Sequence, residues 1–256
     1  MITLTTDFGN SHYVAQMKAS ILNINPEAKI LDITHEIPPH DVVSGAYVLY
    51  TTLPFFRSNV HVCVVDPGVG GKRKGVVIDC GSFLVGPDNG LMVDVARKLG
   101  IKGCYEILEP ELEFRTFHGR DIFAPIGALL DRGKKADEFG NKMDPDELVD
   151  LGIFDLEFGK TLGSESYVKG KILFIDRFGD CITSITPDLL DSSRPLFEIK
   201  GRKIGLRFLD SYALSKLGEL IALVSSSGFL ELASDRRRCS EILGLKVGDP
   251  ITLLRS

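Results

Sequence analysis

The groups able to do chemistry in this chain gather at strand ends and in glycine-rich loops. Asp66 closes the run Asn59-Val60-His61-Val62-Cys63-Val64-Val65 and opens Pro67-Gly68-Val69-Gly70-Gly71-Lys72-Arg73. The run is apolar on both faces, the pattern of a buried, central strand. Pro67 cannot donate to a ladder, so the strand stops there and leaves Asp66 at its carboxyl end, where open α/β sheets hold ligands. Arg73 follows seven residues on, far enough for a short loop to fold it back. His118 stands in Thr116-Phe117-His118-Gly119-Arg120-Asp121, ahead of a helical pattern. An Asp, an Arg and a His together can position and activate a water, carboxylate and imidazole sharing the proton work. Asp7 ends the first strand, a place where an acid can accept hydrogen bonds from a vicinal diol such as a ribose. Plainer readings stand beside these: a structural turn with a solvated Lys/Arg pair for 66–73, a helix cap for His118, a turn-former before Gly9 for Asp7.

The loop after Asp66 is not a phosphate cradle. A Walker A motif needs Ser or Thr after Gly-Lys, and Gly71-Lys72 is followed by Arg73. A dinucleotide fingerprint begun at Gly68 needs Gly at 73. A second polar cluster is Asp176-Arg177-Phe178-Gly179-Asp180, followed much later by Ser225-Ser226-Ser227-Gly228-Phe229-Leu230. An aromatic beside two acids suits an adenine or sugar edge next to a cationic group. It equally suits a polar hairpin turn with Phe178 folded inward. Arg236-Arg237-Arg238 reads as a solvated helix face.

Alternating strands and helices must position the first cluster. Residues 1–7, 29–34, 60–65, 75–80, 83–86 and 104–108 read as strands, with 75–86 a hairpin across Gly81-Ser82. Helices are expected from an N-cap at Ser11 to Asn25, over 42–53, over 91–99 and over 122–130. This alternation predicts a doubly wound α/β domain. Residues 133–165 are a polar, acidic connection, and from Tyr167 onward short strands with turn signals predict an antiparallel sheet or small barrel. Those strands are expected at 168–176, 181–186, 196–200, 203–208, 220–225, 228–233 and 250–254. The domains are therefore 1–160, including the connection from about 133, and 166–256.

Composition narrows the partners. The 256 residues carry a net charge of −5, which argues against nucleic acid, and no run approaches a membrane span. The chain begins in a strand pattern without a basic leader, so a cytoplasmic protein is expected. Five cysteines show no Cys-x-x-Cys spacing, and His61 with Cys63 has no partners for a metal, so neither a zinc site nor another metal is expected.

Taken together the motifs resemble the S-adenosylmethionine (SAM) hydrolase, or SAM hydroxide adenosyltransferase, family, relatives of the fluorinases and chlorinases. The resemblance is carried across the chain by Thr5-Thr6-Asp7-Phe8-Gly9, Asp32-Ile33-Thr34-His35, Val65-Asp66-Pro67-Gly68-Val69-Gly70, Gly86-Pro87-Asp88-Asn89-Gly90 and Phe117-His118-Gly119-Arg120-Asp121-Ile122-Phe123-Ala124-Pro125. Ile175-Asp176 with Phe178-Gly179, and Ser226-Ser227-Gly228-Phe229-Leu230, carry it through the second half. It implies an α/β N-terminal domain and a β-barrel C-terminal domain in a homotrimer, with each active site between one subunit's N-terminal domain and its neighbour's C-terminal domain. It also implies Asp66, Arg73 and His118 as the water-activating triad and Asp7 as the ribose ligand. His40 stands where relatives carry a stacking aromatic, and Asp176 and Ser226 match positions that bind the amino-acid end. Phe178 and Asp180 fall in the same substrate-binding block. The family usually reads Phe-Gly-Asn there, whereas this chain has Phe178-Gly179-Asp180, and Ala233-Ser234-Asp235-Arg236 lacks the usual Asn-Ala-Ala.

The implied reaction is attack of water on C5′ of SAM, giving adenosine and methionine without a cofactor, SAM being the substrate. The expected division of labour is shared proton handling through His118, with Asp66 mainly orienting the water. Two rivals are a halide-dependent adenosyl transferase, which Asp66 disfavours by repelling an anion, and a non-enzymatic adenosine or SAM sensor.

Overall fold

The computed structural model describes residues 1–56, 59–108, 116–160 and 165–255. The chain divides into two compact units, Met1–Leu151 and Gly152–Ser256.

The first unit is built on seven strands: β1 (Ile2–Thr6), β2 (Ile30–Thr34), β3 (Val60–Val64), β4 (Gly75–Asp79), β5 (Phe83–Pro87), β6 (Gly103–Ile107) and β7 (Gly140–Lys142). They lie in the order β2-β1-β3-β5-β4-β6-β7. β3, wholly buried, pairs in parallel with β1 on one side and β5 on the other, so its apolar residues are covered on both faces. The sheet is mixed. β4 and β5 form the expected antiparallel hairpin, closed by Asp79 and Phe83 across Gly81, whose φ of 88° few other residues adopt.

Helices cover both faces. Met17 and Ile21 of α1 (His12–Ile24) and Ile126 of α4 (Ala124–Asp131) pack with Ile2, Leu4, Val62 and Val64. Leu49 of α2 (Val42–Thr52) and Val95 of α3 (Val93–Leu99) pack on the other face with Cys63, Val76 and Leu84. A Cβ on Gly127 would come 2.6 Å from Val62 Cγ2, so α4 needs glycine to lie this close to β3. The chain leaves β1 for β2 in one direction and places β3 on the other side of β1. The ends of β1 and β3, which carry Asp7 and Asp66, therefore flank the topological switch point.

The second unit holds β8 (Glu157–Lys160), β9 (Ser166–Ile175), β10 (Cys181–Thr183), β11 (Leu196–Ile199), β12 (Arg202–Gly205), β13 (Arg207–Phe208), β14 (Leu220–Val224), β15 (Leu230–Ser234) and β16 (Pro250–Arg255). Their order is β12-β11-β16-β9-β10-β15-β14-β13, with β8 beside β9. The two ends of that order, β12 and β13, are neighbouring stretches of one segment separated by Leu206. The sheet therefore curls round toward a barrel, about a core that includes Ile172, Phe197, Leu232 and Ile251.

Several local expectations are corrected. Ser11 holds the N-cap position of α1 but its side chain makes no capping bond, whereas Asp41 caps α2 by accepting from the Ser44 N–H at 2.9 Å. Residues 133–165 are not a bare connection: β7 extends the first sheet and β8 the second, while 161–164 lie outside the described residues. Short ladder pairs on an edge leave little periodicity to read. The arginine run is no helix face. It precedes the short helix α5 (Cys239–Leu243), with Arg236 at φ 55°. Among the described residues no helix is long and apolar enough to cross a membrane.

Candidate active site

Two successive turns bring Arg73 back to Asp66. The Asp66 carbonyl accepts from Val69 N–H at 3.4 Å, and the Gly68 carbonyl from Gly71 N–H at 3.0 Å. Arg73 Nε then lies 3.1 Å from both oxygens of Asp66, and Nη2 donates to Oδ2 at 2.7 Å. Such charge-assisted contacts to a planar guanidinium fix the carboxylate in orientation as well as position. The strand end is held from behind by Asn89, whose Nδ2 donates to the Val65 carbonyl at 2.8 Å. That contact gives the Pro87-Asp88-Asn89-Gly90 cluster a positioning role that turn chemistry alone did not reveal.

His118 joins the same group. Its Nδ1 lies 2.7 Å from Arg73 Nη2, and the residue is 2% exposed. It holds the N-cap position of a short π-helical segment, Gly119–Phe123, that leads into α4, but its side chain makes no capping bond and lies beside Arg73 instead. The guanidinium also sits over the Phe123 ring, 5.3 Å from its centroid. Arginine offers donors only, so Nδ1 must accept, and the neutral ring then carries its proton on Nε2. This changes the expected division of labour. With Nδ1 occupied by Arg73, His118 presents a donor, and Asp66 is the member of the set with acceptor capacity for a water.

A cavity of about 540 Å³ opens over this group, lined by Asp66, His118 and the rings of Phe8, Tyr13 and Phe117. Those three rings contact one another at centroid distances of 5.2–5.9 Å. The sequence reading gave none of them a role. Tyr13 was the legible one: it lies off the apolar stripe of α1 and is 46% exposed, an aromatic with no core to fill.

Asp7 and His40 are brought together, but by backbone. Asp7 Oδ2 accepts the His40 N–H at 2.8 Å, and His40 is exposed with φ 68°. The Asp7 loop is held to the neighbouring strand end by Gly9 N–H on the His35 carbonyl at 2.7 Å and by Thr6 Oγ1 at 2.8 Å from His35 Nδ1. His61 lies away from this site. Its Nδ1 is 2.7 Å from Thr3 Oγ1 across the β1–β3 ladder, and burial lowers its pKa to about 4, so it is a neutral core residue.

In the second unit Asp176, Phe178 and Asp180 line a second cavity, of about 560 Å³, together with Tyr212, Ser234 and Arg236. Asp176 Oδ1 accepts from the N–H groups of Phe178 at 2.8 Å and Asp180 at 2.9 Å. Phe178 is not folded inward; it is 69% exposed. Ser226 lies on the exposed turn between β14 and β15. Burial, and then the Asp176 charge, push the Asp180 carboxyl up to about 6. Glu231, buried and bonded to the Tyr212 hydroxyl, is raised to about 7 chiefly by burial. Glu231 had no signal in the sequence beyond an acid in an apolar strand.

The comparisons join both halves to one family. Residues 2–140 match the SAM hydroxide adenosyltransferase N-terminal domain, and residues 170–252 match the C-terminal domain of the same family. An (R)-S-adenosyl-L-methionine hydrolase from Methanocaldococcus jannaschii is 39% identical, covering 99% of this chain and 95% of its own. One from Salinispora arenicola is 35% identical, covering 98% and 96%. A fluorinase from Nocardia brasiliensis is more distant, at 26% identity over 97% and 94%. The crystal structure of an uncharacterized conserved protein from Thermotoga maritima superposes with a TM-score of 0.87 at 34% identity over 100% of both chains. With two domain matches in order along the chain, and hydrolases aligned over nearly its whole length, this protein belongs to the SAM hydroxide adenosyltransferase family.

Proposed function

We propose that this protein hydrolyses SAM to adenosine and L-methionine by attack of water at C5′. The observation that carries the reading is the bonded Asp66–Arg73–His118 set on the wall of an aromatic cavity, in a chain of this family. A water hydrogen-bonded to Asp66 attacks C5′ as the C5′–S bond breaks. Sulfur keeps the electron pair and leaves as neutral methionine, and the water's proton passes to Asp66 and then to solvent. The leaving group needs no proton, and no cofactor is required. The positive charge of the sulfonium disappears in the transition state, so apolar walls favour the step. The faces of Phe8, Tyr13 and Phe117 suit the cationic substrate before it reacts. Arg73 stabilises the hydroxide-like charge as it develops, and His118 keeps Arg73 in place. Asp7 holds the ribose hydroxyls, His40 flanks the ligand, and Asp176, Phe178, Asp180 and Ser226 take the remainder of the substrate. Cytoplasmic action belongs to the same proposal and is supported by five free thiols.

The test is product analysis. SAM incubated with the protein in halide-free buffer made with heavy-oxygen water should give adenosine labelled at its 5′ oxygen, plus methionine. Dependence on added halide, 5′-halo-5′-deoxyadenosine as product, or binding without turnover would each reject the reading.

His118 should be replaceable by a group that accepts from Arg73. His118→Gln, whose amide oxygen can take that bond, is expected to keep kcat within about tenfold of the parent, whereas His118→Leu should lose about a hundredfold or more. Equal loss in both would show that His118 handles a proton itself.

The family resemblance extends the proposal to a homotrimer, one copy's Asp66 and a neighbour's Asp176 serving one substrate. Inactive Asp66→Ala and Asp176→Ala chains, dissociated and reassembled together, should then recover part of the parental activity. A fully active monomer in solution would refute shared sites.

A further inference from the structure

The motif Asp32-Ile33-Thr34-His35 lies at the end of β2, beside the strand end that carries Asp7. Its register against β1 slips once: Leu4 pairs with Asp32 and Thr5 with Thr34, which leaves Ile33 without a partner in that ladder. In an unbroken strand, residues three apart point to opposite faces. Past this slip Asp32 and His35 share one side, with His35 Nε2 3.2 Å from Asp32 Oδ1. That contact is one of charge and not an aligned hydrogen bond. Lys18 of α1 holds the other carboxylate oxygen at 2.5 Å.

From this place His35 reaches both peptide units that follow Asp7. Its Nδ1 lies 2.8 Å from Thr6 Oγ1, and that oxygen accepts the Phe8 N–H at 3.2 Å. Its carbonyl accepts the Gly9 N–H at 2.7 Å. The first amide belongs to the Asp7–Phe8 peptide and the second to the Phe8–Gly9 peptide. Each peptide is planar, so the direction in which the chain leaves Asp7 is fixed on both sides of Phe8. The carboxylate beside Nε2 can only accept, which assigns the ring proton to that nitrogen and leaves Nδ1 to accept from the Thr6 hydroxyl. Thr6 then donates once and accepts once. It is 0% exposed, so water does not compete for either bond.

We propose that His35, oriented by Asp32, is a positioning residue that sets the Asp7 carboxylate for the ribose hydroxyls, with Thr6 carrying the effect. This rests on the reading of Asp7 as the ribose ligand of a SAM hydrolase. None of the three residues belongs to the Asp66–Arg73–His118 set, and the hydroxyls they serve do not react. Substrate binding, and not the chemical step, is therefore the quantity they control.

Adenosine and 2′,3′-dideoxyadenosine are the probes, because they differ only in the two hydroxyls that Asp7 would hold. By calorimetry on the full-length chain the parent should favour adenosine by about tenfold or more, and Asp7→Ala should erase that preference. His35→Leu and Thr6→Val should each weaken adenosine by about fivefold to tenfold and leave dideoxyadenosine within about twofold of the parent. His35→Asn, whose amide oxygen can still accept from Thr6, should bind both nucleosides as the parent does. In SAM hydrolysis His35→Leu should raise KM by about the same factor as the adenosine Kd, with kcat within about threefold. Equal weakening of both nucleosides would mark a general loosening of the fold and overturn the proposal, as would unchanged adenosine binding in both variants. Should His35→Leu fail to fold, Thr6→Val decides, since it keeps a β-branched side chain in a buried strand. A parent that binds adenosine no better than dideoxyadenosine, or an Asp7→Ala chain that keeps the preference, would remove the ribose reading of Asp7 and this proposal with it. Hydrolysis of SAM would stand in either case, because product analysis tests it separately.

Discussion

Asp66→Ala is expected to abolish adenosine formation while SAM still binds. Asp66 is the member of the bonded set whose oxygens can both hold a water and receive its proton, since Arg73 donates only and His118 Nδ1 is engaged by Arg73. A positioned base contributes about 10²–10⁴ in rate, and in the proposed mechanism this one also orients the nucleophile, so kcat should fall by about 10³ or more. The aromatic walls do not depend on the carboxylate, and the cavity they line should keep its affinity. Asp66→Asn separates charge from shape: its amide oxygen can still accept from Arg73, yet it cannot take a proton. Both variants should bind SAM by calorimetry with a Kd within about threefold of the parent, a difference below 1 kcal/mol. An active Asp66→Ala protein would take Asp66 out of the mechanism.

What the sequence disclosed follows from how local each signal is. The central place of β3 was legible because a strand apolar on both faces has only one stable location, and Pro67 marks its end. The return of Arg73 was legible only as one of two readings, because Gly68, Gly70 and Gly71 let a short loop fold back but equally suit a structural turn with a solvated Lys/Arg pair. The order of the strands was not, because parallel neighbours are joined through helices and leave no pairing signature. The proton on His118 was also hidden. It depends on which ring nitrogen faces Arg73, and that is set by a π turn at 119–123 that one-residue periodicity shifts do not announce. Arg236, Arg237 and Arg238 misled for a related reason: three charges in a row look alike on a helix face and around a cavity rim, and only the positive φ at Arg236 tells them apart. Tyr13 and Glu231 were the missed residues with a usable cue, each being a residue type out of place in its own element.

Arg73→Met is expected to destabilise the first unit strongly, and a second substitution should repair the fold without repairing the chemistry. The Arg73 and Asp66 side chains are 10% and 5% exposed, so the pair is buried and the parent structure has already met the cost of desolvating both charges. Removing the cation leaves a carboxylate with no counter-charge on a mostly apolar wall. Loss of one partner from a buried pair costs about 3–5 kcal/mol, a large share of the roughly 5–15 kcal/mol that holds a domain together. Neutralising the survivor as well, in Asp66→Asn with Arg73→Met, should recover most of that loss, giving a coupling energy of about 2–3 kcal/mol in the double-mutant cycle. Arg73→Lys should fall between, since an ammonium keeps the charge but not the planar fork that reaches Asp66 and His118 together. Urea melts of the parent, both single variants and the double variant measure the coupling; product assays on the same four proteins should find activity in the parent alone. A stable, active Arg73→Met protein would mean that the ion pair neither supports the strand end nor serves the reaction. A double variant no more stable than Arg73→Met would place the loss in the guanidinium's packing on Phe123 instead of in the stranded charge.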